Sequence, residues 1–262
     1  MSAISLATRR PFNWKVFLFV LALVVPASYA IVPYSMTLTS STLTLPAILI
    51  NGTITVLQTG VFAAIGLFLA TRIGLGLPFV EAWVKKEPTQ GRFRRALGLS
   101  VLVGVVAGLV MIGLDVFVFG PPLAAELDRL GIVLPSTVQS PAWQGFLASF
   151  YGGVNEEVVY RLFGVSLLAW LGSLVSRDSE GRPKPVVLWI AIIVIAVGFG
   201  LAHLPGTAAI GLPIDVLVVT RAIVGNGVGG VAFGWLYWRR GLEGAIVSHF
   251  SADLVLHVLM AL

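Results

Sequence analysis

Apolar residues in this chain come in long unbroken runs, not in the alternating pattern of a half-buried strand or the one-sided stripe of a surface helix. Seven runs are legible: Val16–Val32, Leu45–Ala70, Ala96–Phe119, Ala142–Leu171, Val186–Ala202, Ile214–Trp238 and Ala245–Ala261. Each approaches roughly 20 residues, enough to carry an α-helix across about 30 Å of hydrocarbon at about 1.5 Å per residue. The pattern predicts an all-α fold, a polytopic transmembrane helical bundle of about seven spans in the cell membrane. Between the second and third runs, Leu75–Lys86 sets Leu77, Phe79, Val80, Trp83 and Val84 beside Glu81, Lys85 and Lys86. It reads as an interfacial amphipathic helix or as a plain loop.

Composition agrees: 57% of the 262 residues are hydrophobic and 11% charged, against roughly 25% charged in a soluble domain. The net charge of +5 could suggest nucleic acid, but the basic residues sit in short clusters between the apolar runs. They read as topology signals, with the lipid bilayer as partner and no nucleic acid. Arg9, Arg10 and Lys15 precede the first run; Lys85, Lys86, Arg92, Arg94 and Arg95 follow the second; Arg177, Arg182 and Lys184 follow the fourth; Arg239 and Arg240 follow the sixth. The intervening segments Tyr34–Thr44 and Leu204–Pro213 are uncharged, and Pro121–Ser140 is mildly acidic. By the positive-inside rule the chain is N-in and C-out.

The first run, with its basic flank and Pro26-Ala-Ser-Tyr-Ala30, also resembles a cleavable signal peptide, and Thr8-Arg9-Arg10-Pro-Phe a twin-arginine signal. These are equally features of the first span of a polytopic protein, which is the reading adopted. With no cysteine, chemistry falls to carboxylates, histidines and hydroxyls.

A charged side chain inside hydrocarbon costs roughly 2.5–3.5 kcal/mol, so it persists where it pairs or functions. The fourth run holds Glu156, Glu157 and Arg161. On an α-helix Glu157 and Arg161, four apart, face one another and suit an ion pair, while Glu156 points about 100° away without a partner. A lone desolvated carboxylate suits a general base for water. The bland alternative is a structural polar cluster. Gly152, Gly153 and Asn155 suggest close helix approach or a local break.

His203 ends the fifth run, and His249 and Asp253 share a face of the seventh. Counting inward from Trp170, Trp189 and Glu243 at about 1.5 Å per residue puts Glu156 and His203 ~21 Å deep but His249 only ~9 Å. An earlier start to the seventh span, near Trp238, brings His249 to ~16 Å. His257 continues the stripe near the outer interface and reads as structural. Arg221, six residues after Asp215, reads as snorkelling or structurally paired. Asp115 and Asn226 are candidates to line the cavity, and no role is assigned to them.

Glu156-Glu157-x-x-x-Arg161, then Phe199-x-x-x-His203, then His249-x-x-x-Asp253, in this order on successive helices, resembles the CPBP family. That family includes the type II CAAX prenyl endopeptidases and bacteriocin-processing or immunity proteins. The resemblance covers roughly residues 140 to 260, dividing the chain into N-terminal transmembrane helices with a basic cytoplasmic loop (1–140) and a CPBP-like catalytic core (141–262). It implies that Glu156 and His203 activate a water, that His249 and Asp253 stabilise the oxyanion, and that Glu157–Arg161 holds the shape of the site. The CAAX endopeptidases usually carry Asn at the Asp253 position, and an ionised aspartate would repel an oxyanion. Asp253 is therefore protonated, or orients His249, or takes part in a metal site.

Histidines and carboxylates suit zinc, but no His-Glu-x-x-His helix is present, and the metal-free glutamate mechanism is preferred. The expected activity is an intramembrane endopeptidase acting on a membrane-associated peptide or protein. The competing readings are a non-catalytic immunity or scaffold protein of the same fold, and a transporter with a proton relay, for which inverted repeats are missing.

Overall fold

The computed structural model describes residues 11–89, 91–134 and 140–262; the expectations that rest on Thr8, Arg9 and Arg10 lie outside them. Among the described residues every regular element is a helix. The helices begin where backbone N–H groups find side-chain acceptors or need none. Asn13 accepts from Lys15 and Val16 N–H ahead of α1 (Trp14–Ala30), and Thr44 from Ala47 N–H ahead of α3 (Leu45–Ile73). Pro33 and Pro185 open α2 (Val32–Leu38) and α9 (Pro185–Ala202) at first-turn positions, where a missing N–H costs nothing.

Among the described residues six helical segments are long and apolar enough to cross a membrane: Trp14–Leu38, Leu45–Ile73, Arg92–Leu130, Pro185–Ala209, Val216–Arg240 and Leu242–Ala261. A seventh continuous helical stretch joins α7 (Ala142–Phe150), the π-helix π2 (Tyr151–Val165) and α8 (Ser166–Ser173). Its charged residues set it apart from the other six. It is the inner helix of the bundle, packed on α1, α3, α9 (through π2 and α8) and α12 (Leu242–Asp253). The expected all-α polytopic bundle is the fold.

Boundaries differ where proline does not break a helix. The loop expected over Pro121–Ser140 begins instead with α6 (Gly120–Leu130), whose prolines fall at its start. α6 continues α5 (Arg92–Leu114) through the π-helix π1 (Asp115–Phe119). Leu204–Pro213 likewise contains the short α10 (Leu204–Ala209). Leu75–Lys86 is helical only over α4 (Pro78–Val84), with Val80 and Ala82 buried. Glu243, in the first turn of α12, accepts from Phe79 and Val80 N–H at 2.9 Å each and so caps α4.

Close packing is set by small residues. A Cβ on Gly104 of α5 would strike the backbone carbonyl of Ser248 on α12, so that helix pair depends on the missing side chain. The basic loops gather at one end of the bundle: Arg182 lies against Gly74, Arg239 and Arg240 line a cavity with Arg92 and Arg95, and Lys15 shares another with Lys85. This is the grouping that the N-in expectation requires.

Candidate active site

Glu156, Glu157 and Arg161 lie on π2, not on an α-helix as expected. Extended π-geometry is rare and tends to mark functional sites. The expected ion pair nonetheless forms: Arg161 Nη1 is 3.0 Å from Glu157 Oε1, both side chains all but completely buried. Glu156 keeps 23% of its side chain exposed while Glu157 has none. The two neighbours are thus divided by environment, Glu156 partly exposed and Glu157 sealed.

The depth count separated His249 from Glu156, yet the two meet. α12 begins at Leu242, only one residue before the Glu243 marker, so the helix start alone adds about 1.5 Å; the marker itself misleads, because Glu243 turns inward to cap α4. His249 Nδ1 is 2.7 Å from Glu157 Oε1, and a ring N–H there donates to the carboxylate. Nε2 on the other side of the ring is 3.8 Å from Glu156 Oε2 and 3.6 Å from Asp253 Oδ1. Glu157 therefore does more than pair with Arg161: it fixes the orientation of His249. Asp253 faces the opposite nitrogen.

Gly152 makes this convergence possible. A Cβ there would overlap Asp253 Oδ2 and stand 3.1 Å from His249 Nε2. Asn155 secures the same helix from behind, its Nδ2 donating to Ser28 Oγ of α1 at 2.7 Å.

His203 caps the end of α9, its Nδ1 2.7 Å from Phe199 O. When Nδ1–H donates to that carbonyl, the neutral ring leaves Nε2 as a free acceptor. Phe199 stands edge-on to both histidines, its ring centroid 4.7 Å from that of His203 and 5.8 Å from that of His249. His203 is therefore one aromatic ring away from the carboxylate cluster.

Sequence reasoning missed Phe233 of α11 (Val216–Arg240). Its ring stacks on His249 at 4.7 Å and 23°, and the Arg161 guanidinium lies 4.7 Å from the Phe199 centroid and 5.4 Å from that of Phe233. The two rings enclose the Arg161–Glu157–His249 chain in apolar surface, with a cation–π contribution. The only sequence signal was the run Gly229-Gly230 just before it, a mark of close packing. Tyr34 was missed too: its hydroxyl is 3.2 Å from His257 Nδ1, and His257 Nε2 is 4.0 Å from Asp253 Oδ1. His257, expected to be structural, thus leads from Asp253 toward α2.

Arg221 is paired, but with Asp115 at 2.6 Å; Asp215 instead caps α11, accepting from Val218 N–H at 2.8 Å. The helical rise places π1, not the start of α11, beside the guanidinium. Asn226 donates to Ala222 O within its own helix. Among the described residues no group of three His, Asp or Glu converges in a way that could hold a metal ion.

A family model described as type II CAAX prenyl endopeptidase Rce1-like matches residues 138–255. That segment contains Glu156, Glu157, Arg161, His203, His249 and Asp253, while Tyr34 and His257 lie outside it. No curated protein and no solved structure matches the chain.

Proposed function

We propose, for a chain whose residues 138–255 belong to the Rce1-like type II CAAX prenyl endopeptidase family, an intramembrane endopeptidase that hydrolyses a peptide bond of a membrane-associated substrate with an activated water. The observation that carries the reading is the division between Glu156 and Glu157. One carboxylate keeps part of its side chain exposed beside His249, and its neighbour is sealed in an ion pair. The proposed setting is the cell membrane.

In this reading Glu156 takes a proton from water as hydroxide adds to the scissile carbonyl, and returns it to the leaving amine. His203, its Nδ1 tied to Phe199 O, holds the same water through Nε2. His249 donates from Nε2 to the developing oxyanion while Nδ1–H is held by Glu157. Asp253, 3.6 Å from Nε2, is a positioning residue for that ring and not the oxyanion donor. Arg161 balances the Glu157 charge, and the mechanism calls for no metal.

The test compares membrane proteomes of cells carrying the wild-type protein and Glu156→Ala. Uncleaved chains should accumulate in the variant and would identify the substrate class, prenylated or not. Identical proteomes, with both proteins present at equal level, would contradict the proposal.

A further inference from the structure

At the basic end, away from the carboxylate cluster, a cavity of about 560 Å³ opens between α4, the start of α5 and the end of α11. Four guanidiniums line it: Arg92 and Arg95 from α5, Arg239 and Arg240 from α11. One carboxylate, Glu81, shares the wall, so the lining is strongly positive. Arg92 Nε donates to Thr89 O at 3.2 Å and Arg239 lies 5.2 Å from the Trp238 centroid. Arg95 and Arg240 have no ion-pair partner among the described residues.

Topology alone does not explain this convergence. Positive charge anywhere in a short loop orients a membrane protein, and Lys86 and Arg94 supply it outside the cavity. Here arginines from segments far apart in the chain are held around one space despite mutual repulsion. Phe79 and Trp238 add an apolar, aromatic stretch of wall. Trp238 marks the interfacial layer, where tryptophan prefers to sit. Guanidiniums grip phosphate through paired N–H donors.

We propose that this cavity binds the phosphate of an anionic phospholipid, with Arg95 and Arg240 as the principal donors and the apolar wall seating its glycerol and upper acyl chains. Basic recesses between transmembrane helices on the cytoplasmic side are suited to such headgroups. A free phosphate offers the same anion but gains nothing from Phe79 and Trp238. The proposal is independent of the proteolytic reading.

The experiment is native mass spectrometry of the full-length protein in detergent with equimolar phosphatidylglycerol and phosphatidylcholine, repeated with excess inorganic phosphate. Wild-type protein should retain phosphatidylglycerol over phosphatidylcholine by about fivefold or more, as roughly one arginine's worth of surface attraction gives. Arg95→Gln with Arg240→Gln should abolish the preference, while Arg177→Gln with Lys184→Gln, removing equal charge elsewhere at the same end, should keep it. If the glutamine pair does not fold, Arg95→Lys with Arg240→Lys, which keeps the charge and loses the paired donors, should still weaken it. No preference in the wild type, equal loss in the control pair, or full displacement by inorganic phosphate would overturn the proposal.

Discussion

His249 Nδ1 lies 2.7 Å from Glu157 Oε1, and the same oxygen lies 3.0 Å from Arg161 Nη1. One carboxylate oxygen thus holds the imidazole and neutralises the guanidinium. Each of the three groups is buried, so removing one strands the others in a medium that cannot solvate them.

Arg161→Ala should therefore destabilise the protein by about 3–5 kcal/mol, the cost of an uncompensated buried charge. Combining Arg161→Met with Glu157→Gln should cost less than the sum of the two single changes, because neither charge is then left alone. Thermal unfolding in detergent, followed by loss of helical signal, reads both. Additive losses would mean that the pair is not coupled.

Gly152→Ala should disturb the site directly. Its Cβ would overlap Asp253 Oδ2, so cleavage should fall sharply and stability by about 1–3 kcal/mol. Gly98→Ala, on a face of α5 with nothing within 4 Å of the added Cβ, should be neutral or stabilising by up to about 1 kcal/mol. Peptide cleavage and unfolding of the two variants side by side separate a site effect from a helix effect.

Asp253→Asn tests whether the charge of this residue is needed. If Asp253 positions His249, the amide should keep activity within about tenfold, and Asp253→Ala should lose about 10²–10³-fold, on the scale of a disturbed oxyanion donor. Steady-state kcat of the purified variants decides. Collapse of Asp253→Asn to the alanine level would show that the carboxylate itself takes part.

Exhaustive chelation should leave peptide cleavage unchanged, with no stoichiometric zinc by elemental analysis. The basis is the proposed mechanism, in which Glu156 and His203 activate the water and His249 Nδ1 is already engaged by Glu157. Activity lost on chelation and restored by zinc would replace this mechanism with a metal-assisted one.

The helices were legible because burial in lipid demands long apolar runs, and the Glu157–Arg161 pair because it is local in sequence. The link between Glu157 and His249 was not, since it joins residues 92 positions apart and the Glu243 used to gauge depth caps α4 instead of marking the interface. The partner of Arg221 was hidden for the same reason: Asp215 is near in sequence, but Asp115, 106 positions away, is near in space. Phe233 carries no polar signature, and its role follows only from the ring it stacks on. The π-geometry of π2 left no trace in the apolar pattern, because charged and small residues there are compatible with either helix. Asp253 stands out in the sequence as a departure from the pattern the chain resembles, and the structure sets it beside His249 Nε2.

The most direct test is the cleavage rate of a fluorogenic peptide by purified full-length protein and its Glu156→Gln variant, both shown to be folded. The amide preserves size and polarity but cannot take a proton from water, so the rate should fall about 10²–10⁴-fold with the unfolding temperature unchanged. Equal rates in the two proteins would contradict the assignment of Glu156 as the base.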